Sequence, residues 1–181
     1  MPIGKSTNKN KEKGDRGEAL TQKMFGLAPT SGSGCGRFDK QDSKNEWLRV
    51  ETKTTEKDHY VLNLKKWELW RQQAAKARSQ FFLHLIPEET WGLDWDASLV
   101  VITDSYAKAL GAYDTSGIAN TQEWINGKSV KINFLSGRYL NLAISERESF
   151  DFTPITFYDG EGLNLVSLPA PYFKELLEKA E

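Results

Sequence analysis

The chain has 181 residues, 39% of them hydrophobic and 27% charged, and a mean hydropathy of -0.57. Its longest apolar run is Leu99–Ile102, far below the roughly 20 residues of a membrane span, and the polar start lacks the apolar stretch of a secretory signal. The single cysteine, Cys35, excludes a disulfide framework and a cysteine-built zinc site, so a cytoplasmic protein with no membrane partner is expected.

The net charge of -1 conceals an uneven distribution. Residues 1–80 hold 17 Lys and Arg against 10 Asp and Glu, and residues 81–181 hold 7 against 15. A basic half suits a polyanionic partner, although an uneven solvated surface gives the same count.

Residues 1–14 are rich in Lys, Asn and Gly and read as a flexible basic arm. From Asp15 to about Phe25 a helix is expected, with Leu20, Met24 and Leu27 as one apolar stripe. The glycine-rich segment Ser31-Gly32-Ser33-Gly34-Cys35-Gly36 interrupts regular structure. Trp47 to Thr54 alternates as a strand, and Thr55 to Asn63 reads as a polar connection. Leu64 to Arg78 is a helix, with Leu64, Trp67, Trp70, Ala74 and Ala77 on one side. Gln80 to Ile86 is a strand closed by Pro87, Ser98 to Thr103 a strand of buried type, and Ser105 to Leu110 a short helix. Val130 to Ile144 resembles a hairpin around Ser136-Gly137. Phe152 to Leu168 holds two strand-like runs around Asp159-Gly160-Glu161-Gly162, and Pro171 to Ala180 is a closing helix. One domain over residues 15–181 is expected, with a core of about 15–110 and an elaborated, β-rich part over 111–181.

The chemistry concentrates at Val50-Glu51-Thr52-Lys53. On a strand, Glu51 and Lys53 point to the same side, ~7 Å apart along the chain. The carboxylate suits a hard divalent cation and the ammonium suits developing negative charge on phosphorus. An exposed ion pair gives the same pattern. Asp42-Ser43-Lys44 has the same spacing without an apolar strand around it. Asp39 precedes Glu51 by 12 residues, and Glu18 precedes Asp39 by 21. Asp15-Arg16-Gly17-Glu18 also fits a capping box, with Asp15 as N-cap.

In order, Gly17-Glu18, Ser31-Gly32-Ser33-Gly34, Phe38-Asp39 and Val50-Glu51-Thr52-Lys53-Thr54-Thr55 resemble the PD-(D/E)xK nucleases. The branch they resemble most is that of the Holliday-junction resolvases, including small phage-type enzymes. The resemblance covers about residues 14–110. It implies a restriction-endonuclease-like α/β core, in the order α-β-β-β-α-β, with a mixed sheet flanked by helices. It implies Asp39 and Glu51 as carboxylate ligands of Mg²⁺ or Mn²⁺, the Thr52 carbonyl as a further ligand, Lys53 as the catalytic lysine and Glu18 as an outer ligand. Ser31, Gly32, Ser33 and Gly34 would meet the DNA backbone. Phe38 stands where the family's name has proline, which leaves Asp42 as an alternative to Asp39. The expected activity is hydrolysis of phosphodiester bonds in branched DNA. Two symmetric cuts require a homodimer, and a phage-encoded enzyme would act in the host-cell cytoplasm.

Lys57, Lys65, Lys66 and Arg71 follow the candidate strand and suit phosphate contacts, or equally a solvated helix face. Gln72 and Gln73 offer approaches to a phosphate on the same terms. Other features carry less. Gly4-Lys5-Ser6-Thr7 and Gly127-Lys128-Ser129 lack the earlier glycine of a phosphate loop. His59 and His84 are 25 residues apart, and Trp91 and Trp95 are either core residues or stacking platforms. A restriction-type, nicking or repair nuclease of the same fold, and a nucleic-acid-binding protein without catalysis, remain alternatives at this point.

Overall fold

The computed structural model describes residues 6–29, 43–44, 47–112, 122–125, 129–134, 155–158 and 164–180. Helix α1 (Ser6–Phe25) is followed by β1 (Ala28–Pro29), β2 (Ser43–Lys44), β3 (Leu48–Thr55) and β4 (His59–Asn63). Then come α2 (Leu64–Lys76), β5 (Gln80–Glu89), β6 (Gly92–Leu93), β7 (Leu99–Thr103) and α3 (Asp104–Ala109). The chain closes with β8 (Gln122–Ile125), β9 (Ser129–Asn133), β10 (Ile155–Tyr158), β11 (Asn164–Pro169) and α4 (Ala170–Ala180).

These form an α/β fold with a mixed, open sheet flanked by helices. Its strand order is β1-β2-β3-β5-β7-β11-β10, with β6 paired to β5, and β4-β9-β8 form a separate small sheet. Among the described residues only β3 and β5 run parallel, and the crossover between them passes through β4 and α2. Strand β11, from the C-terminal part, lies inside the main sheet against β7, so that part completes the core rather than decorating it. No helix among the described residues is long and apolar enough to cross a membrane.

Register decides which side each residue faces. Arg49, Glu51 and Lys53 pair with Phe81, Leu83 and Leu85. Those β5 residues pack with Leu62 of β4, Leu64, Trp67 and Ala74 of α2, and Ile132 of β9. Val50 and Thr52 pair with Phe82 and His84 and face the other way. There Phe82, Val100, Ile102, Val166 and Leu168 pack with Leu27, Ala107 of α3, and Tyr172, Phe173 and Leu176 of α4. Each large apolar side chain so buried contributes on the order of 1.5–3 kcal/mol.

The first helix begins at Ser6, so residues 6–14 are helical and not the free arm expected from composition. Lys13 pairs with Glu56 and lies 3.8 Å from Glu88, while Arg16 lies 3.0 Å from Glu88, which ties this polar turn to the sheet. Asp15 is then in mid-helix and caps nothing. Nor is the inner face the Leu20/Met24 stripe. It consists of Gly17 and Thr21, both buried, followed by Phe25, which packs edge-on to Phe82 at 5.0 Å. A Cβ on Gly17 would stand 2.5 Å from Thr54 Cγ2 and 3.4 Å from Thr52 Cγ2. The helix stops at Gly26, whose φ of +64° suits glycine, where the Leu27 N–H closes on the Gln22 carbonyl at 3.0 Å.

Helix α2 starts at Asn63, whose Oδ1 accepts from the backbone N–H of Lys65 and Lys66 at 3.0 and 3.2 Å. It ends with Arg78 at φ +55° and the Ser79 N–H donating to the Ala74 carbonyl. Strand β5 continues through Pro87, which pairs with Thr55, instead of stopping before it. Strand β4 occupies the stretch expected to be a connection, since its partner β9 lies far along the sequence. The two strand-like runs expected within 152–168 are strands at 155–158 and 164–169, and they pair antiparallel. The turn of the expected 130–144 hairpin lies outside the described residues, and β9 pairs instead with β4 and β8.

A buried chain of hydrogen bonds joins α1, β3, β5 and the loop before β7. Thr52 Oγ1 donates to Thr21 Oγ1 at 2.9 Å, and Thr21 Oγ1 lies 2.7 Å from His84 Nδ1. His84 Nε2 lies 3.0 Å from Ser98 Oγ, which donates to the Trp95 carbonyl at 2.7 Å. Thr21 Oγ1 also donates to the Gly17 carbonyl at 3.0 Å, so both hydroxyls that flank the imidazole reach a backbone acceptor. Complete burial holds the His84 pKa at about 3. Phe25 and Trp95 close over the ring edge-on at 5.4 and 5.6 Å, which makes Trp95 a core residue and not a stacking platform.

The two helical glycines should respond oppositely to alanine. Gly14 has nothing within 4 Å of an added Cβ, so Gly14→Ala should raise stability by up to about 1 kcal/mol. Gly17→Ala should lower it by about 1–2 kcal/mol, and Gly17→Ala/Thr54→Ser should recover most of the loss, as read from urea midpoints. Below an ordinary pKa of 6.5 the unfolded chain protonates His84 while the native chain does so only near 3. Stability from this group is therefore complete above pH 6.5 and declines as pH falls toward 3, by about 2 kcal/mol between pH 6.5 and 5. His84→Gln should be less stable at pH 7.5 and flatter across that window in denaturant titrations.

Candidate active site

Strand β3 carries the candidate site because three features fix it. Its parallel ladder with β5 runs from Leu48–Gln80 to Thr55–Pro87. Val50 is wholly buried on the far face. Thr52 is tethered there through Thr21 and His84. The alternate residues, Glu51 and Lys53, thereby project together from the near face. Lys53 Nζ lies 2.6 Å from Glu51 Oε1, with side-chain exposures of 37% and 8%. A nearly buried carboxylate is thus held beside a partly accessible ammonium.

Two aromatic side chains complete the surroundings. Trp70 of α2 places its ring 5.7 Å from Lys53 Nζ. Tyr60 of β4, half-buried, packs against the same core cluster. Burial raises the Tyr60 pKa above its ordinary value, the Lys53 charge pulls it back, and the Glu51 charge adds to the rise. Neither residue stood out as part of a site in the sequence. Trp70 falls on the same helical stripe as Trp67 and reads as core, and Tyr60 lies in a strand hidden within a polar stretch. Arg49 shares the near face of β3, as its pairing with Phe81 shows.

The remaining candidates divide as follows. Glu18 is on α1 between Gly17, which packs against Thr54 and Thr52, and Thr21, which bonds to Thr52. That helix covers the opposite face of β3 from the Glu51–Lys53 pair. Thr52 sits in the strand between the two and adds its side chain to the buried hydrogen-bond chain. Asp39, its alternative Asp42, and Ser31, Gly32, Ser33 and Gly34 lie outside the described residues. Lys57 is exposed in the turn between β3 and β4, and Lys65 and Lys66 are exposed in the first turn of α2. Arg71 is tied down: its Nη2 and Nε donate to Glu68 at 2.6 and 3.1 Å, and Gln72 donates to the same carboxylate. That contact holds the Glu68 carboxyl below its usual pKa range. Trp91, at the β5–β6 turn, is 68% exposed.

Among the described residues, no group of three or more His, Cys, Asp or Glu is arranged to hold a metal ion. Glu51 and the Thr52 carbonyl are hard oxygen donors of the type a small divalent cation takes, and a cation there would need oxygens from beyond these two residues. Lys53 neutralises Glu51 directly, so an incoming cation would compete with the ammonium for the carboxylate.

No family model, no curated protein and no solved structure matches the chain.

Proposed function

We propose that the chain is a metal-dependent endonuclease that hydrolyses phosphodiester bonds in DNA, with a restriction-endonuclease-like core and a preference for branched substrates. The observation that carries this reading is the Glu51–Lys53 pair on one face of β3, at 2.6 Å, with the carboxylate buried and the ammonium reachable. The order of elements supports it. In chain order the elements are α1, β1, β2, β3, β4, α2 and β5. With β4 set aside as part of the small sheet, the main-sheet strands and their helices run α-β-β-β-α-β, with antiparallel pairing through β1-β2-β3 and parallel pairing of β3 to β5.

In this reading water attacks phosphorus in line, the P–O3′ bond breaks, and the products carry 5′-phosphate and 3′-hydroxyl ends. Lys53 offers its N–H groups to a non-bridging phosphate oxygen and offsets the charge that grows there. Glu51 holds the ammonium at that place. A Mg²⁺ or Mn²⁺ ion, held by Glu51, Asp39 and the Thr52 carbonyl, would supply Lewis acidity and an activated water; Glu18, on the helix over the other face of β3, is the weakest of the proposed ligands. Lys57, Lys65 and Lys66 are placed to neutralise phosphates; Arg71, already paired with Glu68, is the weakest of the proposed DNA contacts. Paired cuts across a junction call for two copies of the chain.

The deciding experiment uses a labelled four-way junction, a flap and a linear duplex, with and without Mg²⁺. The parent should cut the junction fastest and only with the ion. Lys53→Ala and Glu51→Gln should each lower the rate by on the order of 10²–10³ while remaining folded. A Lys53→Ala protein that cuts like the parent overturns the assignment. Sequence-fixed cutting of the linear duplex alone replaces the junction preference with a restriction-type activity.

A further inference from the structure

We infer that Trp70 is a positioning residue that, together with Glu51, fixes the Lys53 ammonium at the reaction centre. The inference rests on the nuclease reading and adds to it a residue from a different element. A lysine side chain has four methylene groups and loses close to 2 kcal/mol of rotamer freedom when held. Strand alternation chooses the face from which Lys53 leaves but does not fix where its ammonium ends. The ion pair with Glu51, a neighbour on the same strand, draws the ammonium along the strand.

The indole supplies the second direction. Its centroid lies 5.7 Å from Lys53 Nζ, within the roughly 6 Å over which a cation is drawn to an aromatic face, and tryptophan is the strongest such ring. The ring is itself restrained. It is half-buried and packs 6.1 Å from Phe81, next to Trp67, which is wholly buried on the same helix. The helix is held at both ends, by the Asn63 cap and by the Ser79 closure onto Ala74. Trp70 is therefore a rigid wall on the α2 side of the ammonium, with the Glu51 carboxylate on the β3 side.

The choice of an aromatic wall has a chemical consequence. A second carboxylate would hold Lys53 more tightly, but would cancel its charge and take its N–H groups. An indole face attracts the cation without accepting a directed N–H and without neutralising it. The ammonium is placed and still carries its charge to a phosphate. Of the other elements packed here, β4 presents Tyr60, and β5 presents the uncharged Leu83 and Leu85.

The test combines steady-state cleavage of a four-way junction with proton NMR of the full-length protein. The Lys53 ε-methylene resonance, assigned by its loss in Lys53→Gln, should be displaced upfield by the indole ring current. In Trp70→Leu that displacement should vanish and kcat should fall about tenfold, with KM within about twofold. Trp70→Phe should retain part of the displacement and recover kcat to within about threefold of the parent. Should Trp70→Leu not fold, the displacement in the parent and its decline in Trp70→Phe decide the same point. A folded Trp70→Leu with parental kcat and an unmoved Lys53 resonance overturns the inference. So do equal losses in the Leu and Phe variants, which signify packing alone. A parent that cleaves no DNA defeats the nuclease reading, and the Lys53 resonance still judges whether the indole holds the ammonium.

Discussion

The parallel ladder between β3 and β5 is the constraint from which the rest follows. It fixes register over Leu48 to Thr55, and a slip of one residue would exchange the two faces of β3. Glu51 and Lys53 would then turn into the apolar layer under α1 and α4, and Val50 would turn toward the near side. The cost of burying two charges among Phe82, Val100 and Phe173 greatly exceeds the few kcal/mol by which natural folds are stable. The same wound unit that buries Leu83, Leu85 and Trp67 thus keeps a carboxylate and an ammonium together at its rim.

The two sides of β3 are built from different materials. On the far side, the hydroxyls of Thr52, Thr21 and Ser98 and the His84 ring form a neutral, fully buried chain, a type of contact that allows little play. On the near side, charge is balanced by charge and by an aromatic face. A neutral tether behind the strand leaves the potential in front of it to Glu51, Lys53, Arg49 and Tyr60. Gly17 makes this possible. Any larger residue would push α1 away from Thr54 and lengthen the Thr21–Thr52 bond.

How much of this could be read from the sequence depended on whether a residue's type announces its surroundings. Strand β3 was legible because its alternation is strict, and α2 because its tryptophans fall at helical spacing. Helix α1 was only half legible. Its buried face is Gly17 and Thr21, which carry no hydrophobic signal, while half-buried Leu20 and Met24 supplied a more visible stripe. Strand β4 was missed because only Leu62 of its residues is buried and its partner β9 comes some seventy positions later. The pair at the centre of the candidate site was visible as E-x-K. The roles of Trp70 and Tyr60 were not, because they depend on which elements fold over β3. Pro87 misled for a local reason: a missing N–H ends a strand only where a neighbour needs that donor.

The place of β11 bears on how the molecule comes into being. It is laid between β7 and β10, gives Leu165 to one apolar layer and Val166 and Leu168 to the other, and leads straight into α4, whose Phe173 meets Phe82. An interior strand of the sheet is therefore synthesised some sixty positions after the neighbour it covers. Until residues 164–169 have emerged from the ribosome, β7 presents an open edge made of Leu99 to Ile102 and closed by Thr103. Over that interval the nascent chain is exposed to self-association or to chaperones.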